Sequence, residues 1–290
     1  MSYTVFTTED GRDFVRTPDE CFDNLPDFPY LPHYVEIDGL RMHYVDEGPK
    51  DAEVVLLLHG QPDWSYLYRK MIPGIVQAGY RVIAPDMIGM GRSDKPTDIH
   101  THTVYGHAAW WLELINQLAL QNITLFGQDW GGFTGLQVVA HHPEYFRRVL
   151  ISNSGLFLMP EPILNVPQGI NRQDYPVDPD AEIRTFDDFV ANCAAKGLIK
   201  EDMSEFFQAW MLYALTGPEL KASDNLRRDF GGIELTDDEA RAYDAPFPDE
   251  VFMTGIRTLP SMGSMIDTDK SLAAWEALKQ FEKPFLTVFG

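Results

Sequence analysis

Five short, mostly apolar runs do most to limit what this 290-residue chain can fold into. They are residues 54–59 (VVLLLH), 81–86 (RVIAPD), 123–128 (ITLFGQ), 148–152 (RVLIS) and 285–289 (FLTVF). A strand solvated on one face alternates apolar and polar side chains, so a run without that alternation must be covered on both faces. Helix-length segments lie between the runs, among them 105–120 and 133–141. This alternation specifies an α/β fold, a mainly parallel sheet with helices on both faces. Ahead of the runs, 34–37 and 42–46 read as a hairpin turning at Asp38-Gly39. The alternation stops after Ser152. From there Pro-rich turns and helical stretches (185–195, 203–215) predict a helical insertion. The expected organisation is a first part of the core over 1–160, a helical cap over 161–254, and a second part of the core over 255–290.

Composition narrows the function. With 23 Lys and Arg against 44 Asp and Glu the formal charge is −21, which opposes binding to phosphate backbones or anionic lipid. The two cysteines, Cys21 and Cys193, form no metal spacing and no disulfide framework. The first residues show neither a basic nor an apolar signal region, and the longest aliphatic run, 54–58, is far short of the roughly 20 residues that span a bilayer. A cytoplasmic protein is expected.

The sharpest chemical feature is Gly127-Gln128-Asp129-Trp130-Gly131-Gly132, between an expected strand and an expected helix. Glycines on both sides allow a tight strand-to-helix turn that pushes the central side chain out at the carboxyl ends of the strands, the pattern of a nucleophile elbow. The central residue is Asp129 and not a serine. A carboxylate suits displacement at saturated carbon with an alkyl-ester intermediate, where a serine would attack a carbonyl. Alternatively, Asp129 is only an N-cap.

The surroundings of the elbow resemble the α/β-hydrolase fold, and more closely its haloalkane dehalogenase family. The matching stretches are His59-Gly60-Gln61-Pro62, Trp64-Ser65-Tyr66-Leu67-Tyr68-Arg69, Ala84-Pro85-Asp86, Gly89-Met90-Gly91-Arg92-Ser93-Asp94-Lys95-Pro96 and the elbow itself. Phe207-Gln208-Ala209-Trp210 and Ala245-Pro246-Phe247-Pro248-Asp249 look like the cap of the subfamily that holds halide with two tryptophans. The resemblance implies hydrolytic dehalogenation of haloalkanes to an alcohol, halide and a proton. It makes Asp129 the nucleophile. Trp130 and Trp210 become indole N–H donors to the leaving halide, which needs donors in a dry cavity. The backbone N–H groups of Gln61 and Trp130 become an oxyanion hole. Phe133, Phe207, Phe247 and Pro248 become the apolar lining of the substrate pocket, although aromatics at helical spacing also serve as plain core. No metal and no cofactor are implied; the partners are a small haloalkane, water and halide, and a monomer is the default.

The same resemblance calls for a histidine to activate water and an acid to orient it, in the order nucleophile, acid, histidine. The histidines at 33, 43, 59, 100, 102, 107, 141 and 142 all precede the cap. The position after the fourth run, where a sister subfamily keeps its acid, reads Asn153-Ser154-Gly155. The acid and histidine are therefore expected after Gly290, in a chain expected to be a truncated record. Such a chain would alkylate Asp129 without turning over. Two other functions stay open: an epoxide hydrolase with Tyr213 and Tyr243 as phenol donors, and a non-catalytic binder of small apolar ligands. Gly89-Met90-Gly91 lacks the spacing of a phosphate loop. Trp110-Trp111 reads as packing, and Asp237-Asp238-Glu239 as the solvated first turn of a helix.

Overall fold

The computed structural model describes residues 3–156, 220–228 and 234–289, together with Ala195, Trp210, Met211, 213–215 and Gly217. Ten strands fall within these residues: β1 (Val5–Thr7), β2 (Asp13–Val15), β3 (His33–Ile37), β4 (Leu40–Glu47), β5 (Val54–Leu58), β6 (Arg81–Pro85), β7 (Lys95–Pro96), β8 (Ile123–Gln128), β9 (Phe146–Ser152) and β10 (Phe285–Val288). Seven build one sheet in the order β10-β9-β8-β5-β6-β4-β3. Pairing is parallel from β10 through β6, and β4 and β3 add antiparallel. All five expected core strands are present within a residue or two of their expected ends. The first hairpin turns at Asp38-Gly39, both at positive φ.

The middle of this sheet explains why its runs are continuous. Every residue of β5 is buried, at roughly 1.5–3 kcal/mol for each large aliphatic side chain removed from water. Helix α1 (Ile72–Gln77) follows the loop after β5, α2 (Val104–Gln117) precedes β8, and α3 (Asp129–His141) follows it. The two tryptophans of α2 pack and also donate: Trp111 Nε1 to Thr134 Oγ1 on α3 at 2.9 Å, and Trp110 Nε1 to Asp38 Oδ2 at 2.9 Å. Helix Thr268–Leu278 packs on α3 and anchors the chain after β9 through Trp275 Nε1, which donates to the Leu156 carbonyl at 3.1 Å.

Two features depart from the expectation. A small antiparallel sheet, β1-β2-β7, is also present. Arg16, just after β2, donates Nε and Nη2 to the two oxygens of Asp94, just before β7, at 2.7 and 2.8 Å, and Asp94 Oδ2 accepts from the Arg41 N–H on β4 at 2.8 Å, which ties the small sheet to the main one. The acidic turn after Thr236 does open a helix, Asp237–Asp244, with a complete capping box between Thr236 and Glu239. It is not simply solvated, because Glu239 Oε1 also accepts from Arg69 Nη2 at 2.6 Å and Lys70 Nζ at 3.0 Å. The expected helices at 185–195 and 203–215 fall almost wholly outside the described residues, as does Cys193. Among the described residues no helix is long and apolar enough to cross a membrane.

Candidate active site

In an open parallel sheet the loops leaving the carboxyl ends of neighbouring strands that run on to opposite sides form a crevice. Here those neighbours are β5 and β8, with Leu58 in register with Gly127. The loop after β5 carries Gly60 and Gln61, and α3 begins at Asp129, earlier than the expected start at residue 133. Asp129 is the first helical residue; the N-cap is Gln128, whose side chain makes no capping bond. The Asp129 backbone has φ 50°, the left-handed region that side chains other than Asn and Asp resist. The glycines have a steric reason. A Cβ on Gly131 would meet the Leu58 and His59 carbonyls, one on Gly127 would come within 2.6 Å of Gly132 Cα, and one on Gly60 would meet the Asp129 carboxylate.

The Asp129 residue is part-buried. The Gln61 backbone N–H donates to Asp129 Oδ1 at 2.8 Å, and the Trp130 backbone N–H donates to the same carboxylate. Burial outweighs these two donors and holds the carboxyl above the usual aspartate range. Ser154 Oγ donates to the Asp129 carbonyl at 2.6 Å, fixing the elbow from β9. Gln61 is itself located from the far side, its Nε2 donating to the Ile256 carbonyl at 3.2 Å. That leaves its backbone N–H for the carboxylate.

The expected lining is brought together in part. Trp130 and Phe133 are buried and meet edge to face with centroids 5.7 Å apart. Trp210 is buried in the same contiguous apolar cluster, tilted against Tyr213 at 6.3 Å. Phe247 and Pro248 are half-buried, and Phe247 packs on that cluster. Phe207 lies outside the described residues.

The histidines have other employment. The Met87 N–H donates to His59 Nε2 at 2.9 Å and His59 Nδ1 faces the Gly60 carbonyl at 2.8 Å, so both ring nitrogens brace the turn. His43 Nδ1 donates to Asp86 Oδ2 at 2.7 Å. His102 and His107 stack on one another with Nδ1 and Nε2 3.2 Å apart. The Gly89–Gly91 turn turns its donors inward, with the Arg92 N–H on Asp86 Oδ2, and its Gly91 carbonyl accepts from the buried Lys95 Nζ. Among the described residues no group of three His, Cys, Asp or Glu could hold a metal.

Sequence reasoning missed the polar group beside the nucleophile. Asp63, two residues past Gln61, is buried and feels the charge of Asp129. Tyr68 is buried next to both and its phenol is pushed well up by burial. The available signal was an ionisable residue inside an otherwise aromatic stretch, Asp63 to Tyr68.

Comparison with known proteins agrees with this geometry. Residues 53–272 match the family model described as the alpha/beta hydrolase fold. The haloalkane dehalogenase of Psychrobacter cryohalolentis is 39% identical over 95% of this chain and 80% of its own length. That of Mycobacterium marinum is 38% identical over 96% and 83%. Among solved structures, the tetrameric haloalkane dehalogenase DpaA of Paraglaciecola agarilytica NO2 superposes with a TM-score of 0.72 at 32% identity, over 94% of this chain and 81% of that one. Taken with an aspartate where a serine hydrolase would carry serine, identity along nearly the whole chain places it in the haloalkane dehalogenase family.

Proposed function

We propose that this chain hydrolytically dehalogenates small haloalkanes, with Asp129 as the nucleophile. The observation that carries the reading is a part-buried carboxylate at a left-handed strand-to-helix turn, with one oxygen held by the Gln61 backbone N–H and the carboxyl raised by burial. One oxygen is oriented by Gln61. An attack on sp³ carbon forms a C–O bond while the C–halogen bond breaks with its electron pair. Trp130 and Trp210 donate indole N–H groups to the departing halide, and Phe133, Phe207, Phe247 and Pro248 exclude water, which strengthens every charge interaction inside. The Gln61 and Trp130 N–H groups then face the oxyanion formed when water attacks the ester. The division into core over 1–160 and 255–290 and cap over 161–254 belongs to the same proposal. No base for the water is assigned to His43, His59, His102 or His107, each of which is buried with a ring nitrogen engaged as described.

The test is mass spectrometry of the protein after exposure to 1-bromobutane, with halide measured in parallel. A butyl group on the peptide containing Asp129, absent from Asp129→Ala, is expected. Halide far in excess of chains adds turnover. Neither adduct nor halide overturns the proposal. An epoxide hydrolase reading is weaker, because the Tyr243 phenol accepts from Arg69 Nη1 at 3.2 Å and its ring meets Tyr66 edge to face. A hydroxyalkyl adduct from an epoxide, without a butyl adduct, would restore it.

A further inference from the structure

The loop that delivers Gln61 to the nucleophile runs on into the 3₁₀ helix Ser65–Lys70, which packs against helix Asp237–Asp244 through Trp64 Nε1, a donor to the Ala242 carbonyl at 3.2 Å. Buried polar atoms without a hydrogen-bond partner gather here: Asp63 Oδ1, Ser65 Oγ, Tyr66 Oη, Tyr68 Oη and Arg69 Nε. Asp63 is only 3% exposed. A carboxylate in that position, acted on by another carboxylate and with one oxygen lacking a donor, is costly, and two like charges in one enclosed site do not readily both form. The cation acting on Asp63 is Arg69, whose guanidinium is held by Glu239, Tyr243 and the Tyr66 carbonyl.

We propose that Asp63 is a positioning residue for the alkylation step: it keeps a proton so that Asp129 alone carries the site's negative charge, and its ionisation changes the rate at which halide departs. The inference rests on Asp129 being the nucleophile. The groups acting on Asp63 are Asp129 at the start of α3, Arg69 and Tyr68 on the 3₁₀ helix, and Tyr243 on helix Asp237–Asp244. During alkylation the proton on Asp63 does not move. The carboxylate of Asp129 becomes a neutral ester, and the negative charge leaves as halide. With Asp63 ionised, a second anion acts on a charge that passes from Asp129 to the halide, and the alkylation barrier shifts. Burial first, then Asp129, pushes the Asp63 carboxyl up to about 8, so the change falls within an accessible pH range.

The experiment follows the rate of butyl-adduct formation with 1-bromobutane as a function of pH, in the wild type and in Asp63→Asn. The wild-type rate is expected to change by about tenfold or more along a single-ionisation curve centred at about pH 8. In D63N the rate should stay level from about pH 6 to about pH 9.5, and Asp63→Glu should restore an alkaline limb. An unchanged limb in D63N overturns the inference while leaving Asp129 as nucleophile. No adduct in the wild type overturns both. If D63N does not fold, infrared spectroscopy of the wild type decides. A protonated-carboxyl band present at about pH 7 and lost in step with the change in rate supports the role, and absence of the band at that pH overturns it.

Discussion

Asp86, fully buried, and Asp129, partly buried, are carboxylates at the ends of neighbouring parts of one sheet, and they are driven in opposite directions. Asp86 accepts from the Ser65 N–H at 2.7 Å, the Arg92 N–H at 2.8 Å and His43 Nδ1 at 2.7 Å. The imidazole beside it and these donors hold its carboxyl far below the usual range despite burial, while burial holds the His43 imidazole below its own usual range. Asp129 has two donors and is held above that range; Asp63 has an unpartnered oxygen and rises furthest. Although Asp86 is the more deeply buried, the supply of donors separates a carboxylate that holds the fold together from one left reactive.

That contrast breaks most visibly if Asp86 is removed. Asp86→Ala strands two buried N–H groups and an imidazole, and is expected to cost about 3–5 kcal/mol, read as a lowered urea midpoint. Asp129→Asn, which tolerates the left-handed backbone, removes all adduct formation yet leaves the urea midpoint close to wild type. A fold lost with Asp129, or kept without Asp86, would reverse the assignment of the two carboxylates.

A smaller effect sharpens the contrast through pH. The folded chain retains the Asp63 proton between roughly pH 4 and 8, where the unfolded chain has lost it. Folding is therefore favoured below about pH 4 by this group, and its contribution declines as pH rises through that window, by at most ~1.4 kcal/mol per unit. Asp86 has the opposite sign: its contribution is complete above about pH 4 and is lost only as pH falls through its depressed folded value. Urea titrations of D63N at a series of pH values should lack the Asp63 slope and keep the acid-side loss. Trp210→Phe removes one indole donor at nearly constant volume, and a hydrogen bond to a charged group is worth about 1.5–3 kcal/mol. Adduct formation should slow by roughly 10- to 100-fold, with stability unchanged. Thr236→Ala is the mildest change, about 1 kcal/mol from the lost cap, and should shift the urea midpoint without touching the adduct rate.

The sheet was legible in the sequence because burial on both faces leaves a local mark: Val54 to Leu58 has no polar residue to hide. The elbow was legible for a similar reason, since Gly127, Gly131 and Asp129 answer steric demands within five residues. The sheet β1-β2-β7 left no such mark; its strands are two or three residues long and its cross-link, Arg16 to Asp94, joins positions 78 apart. Asp63 was missed because one polar residue in a loop has no period, and its importance comes from Asp129, 66 positions later. Glu239 was read as solvated because the cations that meet it, Arg69 and Lys70, are equally remote.

The left-handed backbone at Asp129 bears on how such a chain can change over generations. Glycine at this position would relax a conformation that disfavours most side chains by about 1–2 kcal/mol, and a single base separates the aspartate and glycine codons. Relief of strain and loss of chemistry are therefore one mutation apart. Random drift without selection for activity would run towards the quieter residue, so a lineage that keeps an aspartate at the bend keeps it against a local stability gradient.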